Sequence, residues 1–113
     1  MNERDETLLR DMLDAARRAT RFIEGQSRAA LEDNDMLLGY AVVRAVEIVG
    51  EAASKVSPET RAALSQIRWK EIIGMRNRIV HDYLNVDYNI VWGVVSKDLP
   101  PLIDKLEKFI SPE

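Results

Sequence analysis

The chain has 113 residues, of which 46% are hydrophobic and 31% charged, and its formal net charge at pH 7 is −3. This length and balance predict one folded domain over residues 1–113 and exclude a disordered chain. Because there is no cysteine and only one histidine, His81, the composition excludes a disulfide scaffold, a cysteine nucleophile and a multi-histidine metal site within one chain. We therefore expect no metal site and no cofactor.

No apolar run reaches the roughly 18 residues that a membrane span requires, and the charged start of the chain, residues 1–6, does not resemble a signal peptide. These features predict a cytoplasmic protein with no membrane partner.

Helical periodicity predicts secondary structure along the whole chain, and no stretch alternates apolar and polar residues long enough to predict a strand. The first helix is predicted over about Asp5–Glu24, ending at Gly25, with a short helical turn or connection over residues 26–34. The second long helix is predicted over about Asp35–Val56, with Asp35 as its N-cap.

The second half of the chain is also predicted to be helical. Ser57 and Pro58 begin a short helix that ends near Gln66, and the next helix runs over about Trp69–Val80. The remaining predicted features are a turn at Asn85, an N-cap at Asp87, and a helical stretch over Tyr88–Ile110 that is kinked around residues 98–101. The predicted fold class is all-α, a bundle of four to five helices.

The helix over Asp35–Val56 is apolar around most of its circumference, with polar residues confined to one stripe. Such a helix is buried on several sides, so we predict contact both with its own bundle and with a second copy of the chain. Small residues on one side, Gly39, Gly50 and Ala53 among them, permit close approach of another backbone. A central helix in a monomeric bundle would show the same pattern.

The charge is unevenly distributed. The segment from Arg61 to His81 contains five basic residues and one acidic residue, Glu71, so its net charge is +4. The rest of the chain has a net charge of −7. The basic segment fits a site that contacts phosphate, and we assign RNA binding to Arg68, Lys70 and Arg78. It equally fits a helix that forms ion pairs with the acidic remainder.

The run Arg76-Asn77-Arg78-Ile79-Val80-His81-Asp82-Tyr83 concentrates the side chains that could perform chemistry. Asn77 and His81 are four residues apart and would share one face of a helix, where the amide could hold the imidazole. Arg76 and His81 are about 140° apart on an ideal helix, so they converge within one subunit only if the helix ends between them. Residues from two copies could instead face one cleft.

Cleavage of RNA without a metal ion needs a base for the 2′-hydroxyl proton, an acid for the leaving oxygen and a cation for the phosphorane. Histidine titrates near neutral pH and suits the first two roles, and arginine offers a fork to phosphate oxygens. The alternative is that His81 caps a helix while Arg76 and Arg78 pair with acids.

The same run closely resembles the RNxxxHxY signature of HEPN-domain proteins, and more narrowly that of HepT-like toxins. Further resemblance lies in three segments, namely residues 46–53, 67–72 and 86–92. It implies a homodimeric HEPN-type bundle and a toxin of a type II-like or modification-based toxin–antitoxin system. The toxin would be a metal-independent endoribonuclease with a composite site at the dimer interface.

By the same resemblance, Arg76 and His81 form the catalytic pair and Asn77 orients or contacts the site. Tyr83 matches the tyrosine to which a MntA-type nucleotidyltransferase antitoxin transfers AMP. Two other classes stay open, namely a dimer that binds RNA or nucleotide without cutting it, and a helical dimer that regulates a partner nucleotidyltransferase.

Overall fold

A computed structural model describes residues 1–82 and 85–110 of the chain, the side chains of residues 80–82 excepted. The fold is mostly helical, as predicted. The α-helices are α1 (Glu3–Phe22), α2 (Arg28–Asp33), α3 (Tyr40–Lys55), α4 (Pro58–Ala63), α5 (Trp69–Ile73), α6 (Met75–Ile79), α7 (Tyr88–Gly93) and α8 (Leu99–Phe109). A π-helical turn, Asp35–Gly39, leads into α3, and another, Val94–Asp98, joins α7 to α8. Two short strands, β1 (Val80–Asp82) and β2 (Asn85–Val86), pair antiparallel.

Local capping explains where several helices begin and end. The Ser57 hydroxyl accepts a hydrogen bond from the Thr60 amide, and Asp87 accepts from the amides of residues 89 and 90, so both predicted N-caps are confirmed. The chain turns after α1 at Gly25, whose φ is 71°. The predicted N-cap at Asp35 is wrong, because Asp35 is already the first residue of the π-helical turn.

The core lies between α1 and α3, which pack along each other, with α8 and the short helices α5 and α6 around them. The apolar residues of α3 are largely buried within this one chain; the buried set is Val42, Val43, Ala45, Val46, Val49, Gly50, Ala52 and Ala53. The apolar circumference of α3 is therefore covered by its own bundle and does not by itself require a second copy.

The small residues of the helix over 35–55 permit close approach within the chain. A Cβ added at Gly39 would lie 2.8 Å from the carbonyl oxygen of Leu31 and 2.9 Å from the Tyr88 hydroxyl. A Cβ at Gly50 would lie 3.3 Å from the carbonyl oxygen of Ile72. Substitutions at Gly50 or Ala53 by larger residues would consequently disturb the core of one subunit.

The helix predicted over about Trp69–Val80 is divided at Gly74, which was not predicted, and it ends at Ile79, within one residue of the predicted end. The Ile79 carbonyl accepts a hydrogen bond from the Asp87 amide at 2.9 Å. A continuing α-helix would require that carbonyl to accept from the amide of residue 83. The chain enters β1 instead, and this hairpin was not predicted from the sequence.

None of the helices in the described ranges is long and apolar enough to cross a membrane.

A buried carboxylate ties the start of α1 to the start of α4. Asp5 accepts hydrogen bonds from the Ser57 amide at 3.1 Å and from the hydroxyls of Ser57 and Thr60, each at 2.5 Å. These hydrogen bonds, those from Ser57 first and then from Thr60, favour the charged form and lower the pKa of Asp5 despite its burial.

Since its pKa is lower in the folded chain than in the unfolded chain, Asp5 stabilises the fold fully above the unfolded value of about 3.9, and this stabilisation is lost as the pH falls through the folded value. We expect Asp5→Asn to lower the free energy of unfolding in urea at pH 7, with a smaller loss below about pH 4. Asp11→Asn, at an exposed position of α1, is the control. Equal losses in the two variants, or a loss from Asp5→Asn that does not change with pH, would contradict the prediction.

Candidate active site

Arg76 lies on α6 and extends toward α3. Its Nε lies 3.4 Å from Oε2 of Glu47, and its side chain is 48% exposed. Among the described residues this contact uses Nε, which leaves the two terminal nitrogens of the guanidinium for a ligand. An ion pair this exposed contributes little to stability, so a phosphate can compete for Arg76 at small cost.

Glu47 is the residue that the sequence analysis did not single out. It is 23% exposed, and its carboxylate also lies 3.9 Å from Nη1 of Arg44, which in turn lies 3.2 Å from Glu51. The signal was present, because Glu47 belongs to the polar stripe of α3 and to one of the segments that resemble the family. Its position indicates that Glu47 holds the Arg76 side chain against α3.

An exposed apolar patch lies next to the polar stripe of α3, toward the start of that helix. Met36, Leu37 and Tyr40 are 76%, 73% and 67% exposed. Tyr40 and Arg44 are four residues apart on α3, so the patch and the ion pairs of Arg44 lie on one continuous surface. Arg76 is thus located beside an apolar surface that the chain itself leaves uncovered.

The structure separates Arg76 and His81 into different elements. Arg76 is in α6 and His81 is in β1, so α6 ends between them, which is the condition under which the two can converge within one subunit. The predicted shared helix face of Asn77 and His81 is wrong, because only Asn77 is helical; its side chain is exposed. The His81 side chain and the whole of Tyr83 lie outside the described residues.

The backbone of His81 lies at an irregularity of the hairpin. Val80 pairs with Val86 and Asp82 pairs with Asn85, so His81 is one extra residue between two paired positions. This is the arrangement of a β-bulge, and bulges are frequent beside active sites.

The three residues assigned to RNA binding divide between two surfaces. Arg68 and Arg78 line a cleft between α5, α6 and α8, together with Lys97 and Lys105, which the sequence analysis did not include. Lys70 is exposed and does not line that cleft. Nη1 of Arg78 lies 3.5 Å from Asp98, and Arg76 pairs with Glu47, so both arginines named in the alternative interpretation do pair with acids in this structure.

A second hollow, of about 480 Å³, lies beside β2 and is lined by acids. Glu32, Asp35 and Asp87 face a single base, Arg28, which already contacts Glu32 and Asn89. At its edge, burial and then the charge of Asp35 raise the pKa of Tyr88. Such a site disfavours phosphate. Within 1–82 and 85–110, no group of three or more potential metal-ligating side chains is close enough together to hold a metal ion.

Comparison with known proteins identifies a family match over most of the chain. Residues 12–109 match the family described as "Ribonuclease HepT-like". The comparison with solved structures found no match.

Three relatives illustrate the similarity. "Putative RNase MJ1380" of Methanocaldococcus jannaschii is 33% identical over 108 residues, covering 95% of this chain and 98% of the relative. "Putative RNase TTE0752" of Caldanaerobacter subterraneus subsp. tengcongensis is 37% identical over 94 residues, covering 81% and 84%. "Probable ribonuclease HepT" of Thermococcus cleftensis is 32% identical over 102 residues, covering 88% and 93%. The family predicted from the motif is confirmed.

Proposed function

The chain belongs to the HepT-like ribonuclease family, and on that premise we propose that it is a metal-independent endoribonuclease in which Arg76 and His81 act on the same phosphate. The observation that carries this proposal is the end of α6 at Ile79, between the two residues. A continuous helix would have directed them about 140° apart.

The proposed reaction uses the 2′-hydroxyl of the RNA as the nucleophile. The neutral His81 imidazole accepts the 2′-hydroxyl proton while O2′ bonds to phosphorus, and the phosphorane charge is stabilised by the terminal nitrogens of Arg76. The bond from phosphorus to O5′ then breaks, and O5′ takes a proton from an imidazolium. The products are a 2′,3′-cyclic phosphate and a 5′-hydroxyl.

A second copy of the chain accounts for both proton transfers. Each chain has one histidine, whereas the reaction needs a base and an acid. The exposed apolar patch of Met36, Leu37 and Tyr40 continues along α3 to the arginine–glutamate cluster that holds Arg76. A homodimer that buries this patch would place the partner beside Arg76, giving a composite site at the interface.

The test is incubation of single-stranded RNA with the protein in the presence of EDTA. We expect fragments with 2′,3′-cyclic phosphate ends, and no fragments from 2′-O-methyl RNA, which lacks the nucleophile. Binding of RNA without cleavage would support the non-catalytic binding dimer. If neither binding nor cleavage occurs, the regulatory partner of a nucleotidyltransferase is the better description.

We further propose that the protein is the toxin of a pair whose antitoxin is a MntA-type nucleotidyltransferase, and that Tyr83 is the point of control. The Tyr83 oxygen would bond to the α-phosphorus of ATP, with pyrophosphate as the leaving group. Tyr83 is two residues after His81 in the sequence. The added AMP would carry negative charge and bulk beside the site, and its phosphate would compete with the RNA phosphate for Arg76.

We expect Tyr83→Phe to inhibit growth in the presence of the nucleotidyltransferase, because it retains the ring but lacks the oxygen that accepts AMP. Mass spectrometry of the co-expressed wild-type chain should show added AMP on the peptide containing Tyr83. Tyr88→Phe, which removes the hydroxyl of a half-buried tyrosine outside the patch of Met36, Leu37 and Tyr40, is the control. An unmodified Tyr83 in a fully neutralised complex would mean that the antitoxin acts by covering the site.

A further inference from the structure

A cleft of about 600 Å³ lies between the short helices α5 and α6 on one side and residues 97–105 on the other. Its floor is apolar, because Ile72, Met75 and Leu102 line it and are each at most 5% exposed. Its other lining residues are mostly charged; the bases are Arg68, Arg78, Lys97 and Lys105, and the acids are Glu71 and Asp98. The cleft thus carries a net charge of +2 on a chain whose net charge is −3.

The four basic side chains of the cleft differ in the contacts that they already make. Arg78 forms an exposed ion pair with Asp98 at 3.5 Å, and Nζ of Lys105 donates to the carbonyl oxygen of Gln66 at 2.9 Å. Neither the Arg68 nor the Lys97 side chain has a hydrogen-bond or ion-pair partner among the described residues. The cleft therefore presents two uncommitted cations and two that a stronger anion can recruit.

The cleft lies on the other side of α6 from the proposed reaction site. Arg76 and Arg78 are two residues apart, about 200° around a helix, and they contact α3 and Asp98 respectively. A phosphate bound by Arg76 consequently cannot be the one bound in the cleft, and a ligand that uses both must have more than one phosphate.

We propose that this cleft is a second RNA subsite, which binds the backbone phosphates and one base of the substrate strand away from the phosphate that is cut. The substrate assignment rests on the proposed ribonuclease function. A cleft with an aliphatic floor and four basic side chains fits a nucleotide, whose base can pack on the floor and whose phosphate can pair with the basic side chains. Polyglutamate would pair with the basic side chains but has no base to pack on the floor.

The experiment measures binding of a fluorescent single-stranded 2′-O-methyl RNA 12-mer by anisotropy at several salt concentrations. We expect Lys97→Gln/Lys105→Gln to bind about tenfold more weakly, because charged hydrogen bonds to phosphate are lost. The slope of log affinity against log salt should fall by about 1.4, corresponding to two phosphate contacts to a single strand. Lys55→Gln/Lys108→Gln, which removes two exposed lysines outside the cleft, should change neither quantity.

Several outcomes would overturn the proposal. They are an unchanged affinity and slope in Lys97→Gln/Lys105→Gln, an equal loss in the Lys55→Gln/Lys108→Gln control, and polyglutamate that competes with the RNA as well as unlabelled RNA does. Competition by a nucleoside monophosphate at the same concentration as the 12-mer would identify a free nucleotide as the ligand and reject the substrate strand. Helical content measured by circular dichroism confirms that each variant is folded.

Cleavage by the wild-type chain is assayed separately, so that the two proposals can fail independently. If the wild-type chain cleaves RNA and Lys97→Gln/Lys105→Gln binds RNA as tightly as the wild type, the RNA subsite in the cleft is rejected and the ribonuclease function stands. Weakened binding by that variant, together with no cleavage by the wild-type chain, rejects the ribonuclease and leaves the cleft as an RNA site.

Discussion

Arg76→Ala and His81→Ala should each lower the rate of RNA cleavage by at least about a hundredfold, the typical effect of removing one group that stabilises the transition state. Arg76 is the arginine of the motif that α6 directs toward α3, with its terminal nitrogens available for a phosphate. His81 is the one histidine in the sequence, and histidine is the residue type whose ordinary pKa lies closest to neutral pH. Cleavage of a labelled RNA under single-turnover conditions measures both effects.

Arg17→Ala is a matched control for Arg76→Ala. Arg17 also forms an ion pair at 3.4 Å, with Glu107, and its side chain is also 48% exposed, but it links α1 to α8 on another part of the surface. We expect Arg17→Ala to cleave RNA at the wild-type rate. Full activity of either Arg76→Ala or His81→Ala would reject the catalytic assignment of that residue.

Leu37→Asp should convert a dimer into monomers and remove cleavage at the same protein concentration. Leu37 is 73% exposed within the apolar patch. A charged residue in a buried interface should weaken the affinity between the two copies by about thirtyfold or more, as the loss of a hot-spot residue does. Light scattering should give about twice the 12.9 kDa chain mass for the wild type and the chain mass for the variant.

Phe22→Asp tests whether any added charge would have this effect. Phe22 is an exposed apolar residue at the end of α1, outside the patch. Its substitution should leave the dimer and the activity intact. A wild-type chain that is monomeric at micromolar concentration, or a monomeric Leu37→Asp that cleaves RNA at the wild-type rate, would contradict the composite site.

Arg76 is held by Glu47 in an ion pair that leaves its two terminal nitrogens available for a phosphate. Glu47 is only 23% exposed and binds both Arg76 and Arg44, so it orients Arg76 while remaining part of the cluster on α3. In this arrangement the terminal nitrogens can bind a phosphate while the contact between Nε and Glu47 is retained. The pair is consistent with an arginine that is positioned before RNA binds.

The sequence by itself determined the features that depend on neighbours within a few residues. Ser57 and Asp87 cap their helices through amides two or three residues away, and such hydrogen bonds do not depend on what the helix packs against. Gly25 after α1 is a local signal of the same kind. The family, too, was predictable, because its motif is a set of residue types at fixed spacing.

Only the tertiary structure decided that a hairpin follows α6. Ile79 and Val80 are compatible with a helix, and the carbonyl of Ile79 is taken by the amide of Asp87 once the hairpin forms. The periodicity of the segment predicted neither the break at Gly74 nor the hairpin after α6, since the hydrogen bond from Asp87 comes from outside the segment. Whether Arg76 and His81 could converge within one subunit was for that reason left open.

The tertiary structure also decided which apolar surface is left uncovered. The hydrophobic circumference of α3 predicted a second copy, but α1, α5 and α6 bury it. The exposed apolar patch lies instead at the π-helical turn before α3 and at its first residue, Tyr40. Contacts across long separations, such as Arg76 with Glu47 and Asp5 with Ser57, were likewise not predictable. Periodicity identifies which face of a helix is apolar, whereas the partner of that face is chosen by the packing of the whole chain.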